Sequence, residues 1–345
     1  MQKIDSIFLD NDPPFLIAEV GLAHEGSLGL AHGFIDAIAS AGADAVKFQT
    51  HIADEESSHL EEFRVKFSTQ DETRFAYWKR TSFTSFQWAE LKKHAEDKGL
   101  VFLSSPFSIA AVELLDNLGV EAWKIPSGEL GSRRMLEKIA STGKPILVST
   151  GMSSMSEIDK LITTLEKIAP KKHSILQCTT EYPTPPEHVG INVFDDYRAR
   201  YSCPIGLSDH SGSVWPSIIA ASKGAKVIEV HVTLSSHMFG PDISSSLTIE
   251  DLRMLADGLN FVHKMIANPL DKDAAANDKA LLRKLFSKSA MVLRNISAGN
   301  LIDESAVGFR KPGIGLSESE FDQISNRRLV KPVSTGKFLT KEDFE

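Results

Sequence analysis

Over roughly the first 265 residues, short apolar runs rich in β-branched side chains alternate with stripes of helical period. Runs of strand length lie at Phe15–Val20, Ala45–Thr50, Val101–Ser104, Ala122–Ile125, Pro145–Thr150, Ile175–Thr179, Cys203–Leu207 and Val227–Val232. Eight such runs, in a stretch close to the about 250 residues typical of a (β/α)8 TIM barrel, predict that α/β fold over an open sheet. The helices between them have legible faces and ends. Ala31, Phe34, Ile35 and Ile38 share one face, with Gly42 placed to close the helix. Thr84-Ser85-Phe86-Gln87 reads as a capping box ahead of Trp88, Leu91 and Ala95. Ile158, Leu161, Ile162, Leu165 and Ile168 form the cleanest stripe, which Pro170 ends.

The alternation breaks in two places. More than thirty residues separate Thr50 from Thr84, including Asp54-Glu55-Glu56 and Phe75-Ala76-Tyr77-Trp78. A connection that long, leaving the carboxyl end of the second strand, is expected to serve as a lid or as a subunit contact. Residues 268–285 read as a charged linker. Beyond them Leu293-Arg294-Asn295-Ile296-Ser297-Ala298-Gly299 is echoed by Val330-Lys331-Pro332-Val333-Ser334-Thr335-Gly336. Each copy predicts a strand, a glycine turn and a short helix. The expected organisation is a barrel over 1–267, a linker over 268–285 and a small module over 286–345. A module of about 60 residues is near the lower limit for independent folding and is expected to lean on another surface.

Composition narrows the function classes. A net charge of −8 and a pI near 5.8 argue against a nucleic-acid partner. No apolar run reaches the eighteen or so residues of a membrane span. Met1-Gln2-Lys3-Ile4-Asp5 lacks a signal core, so a cytoplasmic location is expected. Cys178 and Cys203 are too few for a disulfide framework and fit a reducing compartment.

In a barrel, side chains at the strand carboxyl ends converge on one pocket. The runs end in Glu19, in Lys47 and Gln49, in Ser105 and Phe107, in Lys124, Ser127 and Glu129, and in Ser149. Thr180 and Tyr182 follow the sixth run, Ser208 and His210 the seventh, and His231 the eighth. Ile205-Gly206-Leu207-Ser208-Asp209-His210 and Glu229-Val230-His231-Val232-Thr233 flank a helical pattern over Val214–Ala221, which makes a βαβ unit. Its parallel strands set His210 beside His231, either as a divalent-metal pair or as two ordinary hydrogen-bonded histidines. Lys47 and Lys124 either face an anion or pair with Glu19 and Glu129. Taken one at a time the two readings are balanced. The hydroxyls repeated at strand after strand favour a site for a phosphorylated, carboxylated small molecule.

Ala18-Glu19-Val20-Gly21, His24-Glu25-Gly26, Val46-Lys47-Phe48-Gln49-Thr50, Lys124-Ile125-Pro126-Ser127-Gly128-Glu129, Ser149-Thr150-Gly151-Met152, Tyr182-Pro183-Thr184-Pro185, Gly206-Leu207-Ser208-Asp209-His210 and Gly240-Pro241-Asp242 together resemble the sialic acid synthase (NeuB) family. The tail from about Phe286 resembles that family's antifreeze-like (SAF) domain. The resemblance implies condensation of phosphoenolpyruvate with the open-chain aldehyde of an N-acetylated hexosamine. N-acetylmannosamine is the expected acceptor, with a diacetamido-dideoxy sugar of the legionaminic or pseudaminic type as the alternative. It implies Mn2+ or Mg2+ on His210 and His231. Lys47, Lys124, Ser105, Ser127, Ser149, Thr180 and Ser208 would surround phosphoenolpyruvate. Glu19, Gln49, Phe107, Tyr182 and Asp242 would face the sugar, with Glu129 near the reacting carbons. It further implies a domain-swapped homodimer in which Arg310 or Lys311 reaches the partner's sugar site. Two positions depart from the family pattern: Thr180 stands where asparagine is frequent, and Lys311 rather than arginine directly precedes Pro312. Two other readings fit less well. A hydrolase on this barrel would want more carboxylates at the strand ends. An ice- or glycan-binding tail would want a flat threonine-rich face, where the tail has Asn326-Arg327-Arg328 and Lys341-Glu342-Asp343.

Overall fold

The computed structural model describes residues 3–9, 12–170 and 172–345. Met1 and Gln2, part of the segment read for a signal core, lie outside them. The chain divides into two compact units, Met1–Asn268 and Pro269–Glu345.

In the first unit the strands are β1 (Phe15–Gly21), β2 (Ala45–Thr50), β3 (Val101–Pro106), β4 (Trp123–Ile125), β5 (Ile146–Ser149), β6 (His173–Cys178), β7 (Ile205–Asp209) and β8 (Val227–Thr233). A short β9 (Ser246–Thr248) adds to β8. The ladder runs β3-β2-β1-β8-β7-β6-β5-β4, all parallel. Because β3 and β4 at its two ends pack side by side, the sheet is a nearly closed TIM barrel.

The two-residue strand period sorts its side chains into layers. At the amino-terminal end, Phe15, Ile17, Ala45, Val101, Leu103, Leu147, Leu176 and Val227 form one apolar cluster. Ile4 and Ile7 of the 3-10 helix Lys3–Phe8 belong to the same cluster and plug that end. Continuing the same parity upward gives Glu19, Lys47, Ser105, Lys124, Ser149, Ser208, Glu229 and His231, all polar. The other parity packs against the helices, which include the 31–38 face and the Trp88, Leu91 and Ala95 stripe. The predicted ends hold. Thr84 and Gln87 form the reciprocal cap, and Gly42 closes its helix at φ 89°.

The long connection folds over the barrel mouth. It contains the helices Ala53–Glu56 and Arg74–Thr81, and Phe63, Phe67 and Phe75 pack on Leu22, Ala53, Tyr77 and Trp78. Arg80 fastens it: its guanidinium donates to Asp71 at 2.8 Å, to the Glu25 carboxylate at 2.8 Å and to the Glu25 carbonyl at 3.0 Å. Arg80→Ala should therefore cost about 2 kcal/mol, the scale of hydrogen bonds to charged groups. It should also open residues 57–72 to protease, read by a thermal melt beside limited proteolysis. A wild-type cleavage rate would show that the aromatic cluster alone holds the segment.

In the second unit, residues 269–285 carry the short helix Lys272–Asp278, capped by Asp271, and most of Ala280–Phe286. Strands β10 (Ser289–Val292) and β11 (Val307–Arg310) pair antiparallel. The glycine turns of the repeat form as expected, but the strand expected in each copy is reduced to an isolated bridge and the short helix to a 3-10 turn. Ile296 and Val333 bridge the two copies, and Gly299 and Gly336 turn at φ 75° and 87°. Each copy runs on into a 3-10 turn, Glu304–Ala306 and Lys341–Asp343. The unit has a core of its own, which includes Ala290, Val292, Leu316, Phe321, Leu329 and Leu339. Among the described residues no helix is long and apolar enough to cross a membrane.

Candidate active site

At the carboxyl ends of the strands a cavity of about 400 Å3 collects most of the expected residues. Glu19, Lys47, Gln49, Ser105, Phe107, Lys124, Ser127, Ser149, Thr180, Tyr182, Ser208, His210, His231 and Asp242 all line it. Parallel pairing explains the convergence, since Glu19 of β1 lies level with both Lys47 of β2 and His231 of β8.

The floor is an ion-pair network. Lys47 contacts the Glu19 carboxylate, approaches Glu229 Oε2 at 3.7 Å and donates to Ser105 Oγ at 3.2 Å. Lys124 pairs with Glu229 Oε1 at 3.1 Å, and the Ser208 hydroxyl donates to the same oxygen at 2.9 Å. Lys124 is 2% exposed and Glu229 4% exposed, so neither charge could persist without the other. Burial pushes the Glu229 carboxyl up, but Lys124 and Lys47 outweigh it and hold the group well below the usual carboxylate range. Burial pulls Lys47 down to about 7, against the attraction of Glu229. Ser149 Oγ is buried without a partner among the described residues, and a ligand atom would satisfy it.

Above this floor the two histidine rings lie 5.3 Å apart between centroids. Burial holds both well below their ordinary value, to about 3; the repulsion that a second protonated ring would bring adds to the effect for His210, and Lys47 adds to it for His231. Both are therefore neutral imidazoles near pH 7. His210 Nδ1 lies 2.9 Å from the Thr179 carbonyl. A carbonyl only accepts, so Nδ1 carries the proton and Nε2 keeps its lone pair. A ring oriented by a backbone carbonyl is the usual arrangement of a metal-binding histidine. Tyr182 stacks on His210 at 4.2 Å and stands edge-on to His231. Two neutral imidazoles without a third ligand suit an exchangeable divalent ion completed by water and substrate. No group of three or more His, Cys, Asp or Glu suited to a metal occurs among the described residues.

Gly151 shapes the wall. A Cβ there would collide with Thr180 Oγ1 and lie 2.9 Å from Cys178 Sγ, so only glycine lets these strand ends meet.

Three expected residues lie elsewhere. Glu129 ends the 3-10 helix Ser127–Glu129 and accepts from Ser132 at 2.6 Å. It lines a neighbouring groove with Glu55, Glu56 and Arg133, and Lys124 pairs with Glu229 in its stead. Arg310 closes β11 and is exposed. Lys311 follows it, its ammonium 5.3 Å from the centroid of the Phe286 ring. Both belong to the second unit.

The cavity also holds residues that the sequence reading did not single out for the site. Glu229 stands two positions before His231, so the strand period alone puts both on the inner face. Arg64 comes from the long connection: it donates to Asp242 at 2.7 Å and lies 4.1 Å over the Tyr182 ring. His51 and Trp78 come from the same segment. Contacts made by an irregular segment have no periodicity from which to read them.

Comparisons with known proteins agree with this architecture. Residues 34–270 match the NeuB family, and residues 287–345 match the SAF domain. The chain is 34% identical to the human N-acetylneuraminate-9-phosphate synthase over 334 residues, covering 92% of this chain and 89% of that protein. It is 32% identical to the N,N'-diacetyllegionaminic acid synthase of Campylobacter jejuni, covering 92% and 96%. The crystal structure of the N-acetylneuraminic acid synthetase of Leptospira borgpetersenii, in complex with citrate, superposes with a TM-score of 0.69 at 29% identity. It covers 79% of this chain and 92% of that one. The chain therefore belongs to the NeuB family of nonulosonic acid synthases, enzymes that here pair a TIM barrel with a carboxy-terminal SAF domain.

Proposed function

We propose that the enzyme condenses phosphoenolpyruvate with the open-chain aldehyde of an N-acetylated hexosamine, giving a nonulosonic acid and phosphate. The observation that carries this reading is the convergence of Lys47 and Lys124 on one buried carboxylate, Glu229, within the same cavity as the His210–His231 pair. In the reaction, C3 of phosphoenolpyruvate supplies the electron pair of the new bond to the aldehyde carbon. Water then adds to the cationic C2 and gives up a proton. The resulting tetrahedral centre expels phosphate by C–O cleavage. Lys47 and Lys124, with Ser105, Ser127, Ser149, Thr180 and Ser208, bind the carboxylate and phosphate. Glu229 and Glu19 place negative charge beside the cationic carbon, the role expected above of Glu129. Gln49, Phe107, Tyr182 and Asp242 face the sugar. His210 and His231 would hold a divalent ion, Mn2+ or Mg2+, which would supply Lewis acidity toward the aldehyde oxygen. N-acetylmannosamine is the acceptor to test first, against diacetamido-dideoxy sugars of the legionaminic and pseudaminic series. Phosphate release from phosphoenolpyruvate with each sugar and Mn2+, with products weighed by mass spectrometry, tests the reading. Release with none of them overturns it.

The lysines admit a separate test. Lys124→Met leaves Glu229 only the more distant Lys47, at 3.7 Å, and breaking a buried pair costs about 3–5 kcal/mol. Lys124→Met/Glu229→Gln removes both charges, so most of that stability should return, while kcat/KM for phosphoenolpyruvate should lie at least about tenfold below that of Glu229→Gln alone. A double variant with the same kinetics as Glu229→Gln would reduce the lysine to a structural partner.

A further inference from the structure

His51 is among the most constrained polar side chains at the cavity, and nothing in the reaction above uses it. Its ring is clamped between Trp78, at 3.9 Å and 11°, and Phe107, at 4.1 Å and 19°. Its Nδ1 lies 2.5 Å from Glu56 Oε1, and its Nε2 lies 3.2 Å from Gln49 Oε1. Gln49 in turn donates from Nε2 to Glu19 Oε1 at 3.0 Å, and the other oxygen of Glu19 is against Lys47.

Hydrogen-bond valence gives this chain one direction. A carboxylate paired with an ammonium only accepts, so Gln49 must turn its NH2 toward Glu19. Its carbonyl oxygen then faces His51, and that oxygen also only accepts. His51 Nε2 must therefore carry hydrogen. We infer that His51 is a positioning residue: it holds the Gln49 amide so that the second N–H of the NH2 group, and not the carbonyl, is presented to the acceptor sugar.

Without that donor the Gln49 amide is held by Glu19 alone, through one N–H, and can swing about that hydrogen bond. The second N–H is then no longer aimed at a hydroxyl or acetamide oxygen of the sugar. Glu56 holds the far side of the ring, and the two aromatic faces stop it rotating. The long connection thus acts on the sugar site through a side chain that need not touch the sugar. This inference rests on the reading that Gln49 faces the acceptor.

Two variants and two readouts test it. His51→Phe keeps a ring between Trp78 and Phe107 and removes both nitrogens, whereas His51→Gln restores an N–H toward Gln49. In His51→Phe the KM for the acceptor sugar should rise about tenfold, the scale of one hydrogen bond lost or misdirected. The KM for phosphoenolpyruvate should stay near wild type, and His51→Gln should recover most of the loss in acceptor KM, while any fall in Tm should be shared by both variants because Glu56 loses its partner in each. An unchanged acceptor KM, or equal rises in both KM values, overturns the inference.

The second readout needs no turnover. The sequence has six glutamines, so 15N-glutamine labelling gives a short set of side-chain NH2 signals, with Gln49 assigned by its loss in Gln49→Glu. In His51→Phe the Gln49 signal should shift and exchange faster with water, and His51→Gln should reverse this. An unmoved signal overturns the inference even if the wild-type enzyme uses none of the sugars tested. That last result would instead count against the proposed reaction.

Discussion

His210→Ala and His231→Ala should each lower kcat by about a hundredfold or more, the scale of losing a group that stabilises developing charge in the transition state. EDTA should abolish activity in the wild type, and Mn2+ should restore it. The folded state should survive, because both rings line the cavity and are not part of the apolar layers that hold the barrel. Acid stability gives an independent check. Both histidines sit at about 3 in the folded chain, below their unfolded value of 6.5. The folded state thus binds fewer protons, and the metal-free protein loses stability as pH falls from 6.5 toward 3. Either alanine variant removes one such group, so its unfolding free energy should fall less steeply across that window. A chelated enzyme with full activity would remove the metal from the proposed function, whatever the melting curves show.

The second large effect concerns the carboxy-terminal unit. If the unit completes a sugar site, deleting residues 286–345 should abolish condensation and leave the barrel folded, because the buried apolar clusters of the barrel include, among the described residues, none beyond Val262. If the unit serves a partner barrel in a domain-swapped homodimer, Arg310 or Lys311 completes the sugar site from the other chain. Inactive His210→Ala chains mixed with inactive Arg310→Ala/Lys311→Ala chains should then regain activity, since some mixed dimers carry one site with both parts intact. The expected readout is phosphate release after mixing, beside a mass measurement showing that heterodimers form. Heterodimers without activity would mean that each tail serves its own barrel. A monomeric enzyme of full activity would remove the swap altogether.

Much of this protein was legible in one dimension because two periods carried the information. Apolar runs of strand length, set between helical stripes, specified eight strands and a barrel. The two-residue alternation within them put Lys47, Lys124, Ser208 and His231 on the inner face. Caps such as Thr84 and Gly42 are local, satisfied within one turn of chain, and so could be read from neighbouring residues alone. The tail repeat was legible for the same reason, because each glycine turn is specified by its own few residues.

Charge partners were decided only by the tertiary structure. Lys124 pairs across the barrel with Glu229, 105 positions later, while Glu129, five positions away, ends a 3-10 helix and accepts from Ser132 instead. A buried ammonium takes the carboxylate that the closed sheet brings within reach, and sequence proximity has no part in that choice. The covering segment is the clearest case. Arg64 on Tyr182 and Asp242, and His51 between Trp78 and Phe107, are meetings of an irregular connection with distant strand ends. No period governs such a segment, so its place over the mouth follows only once the barrel beneath it has closed.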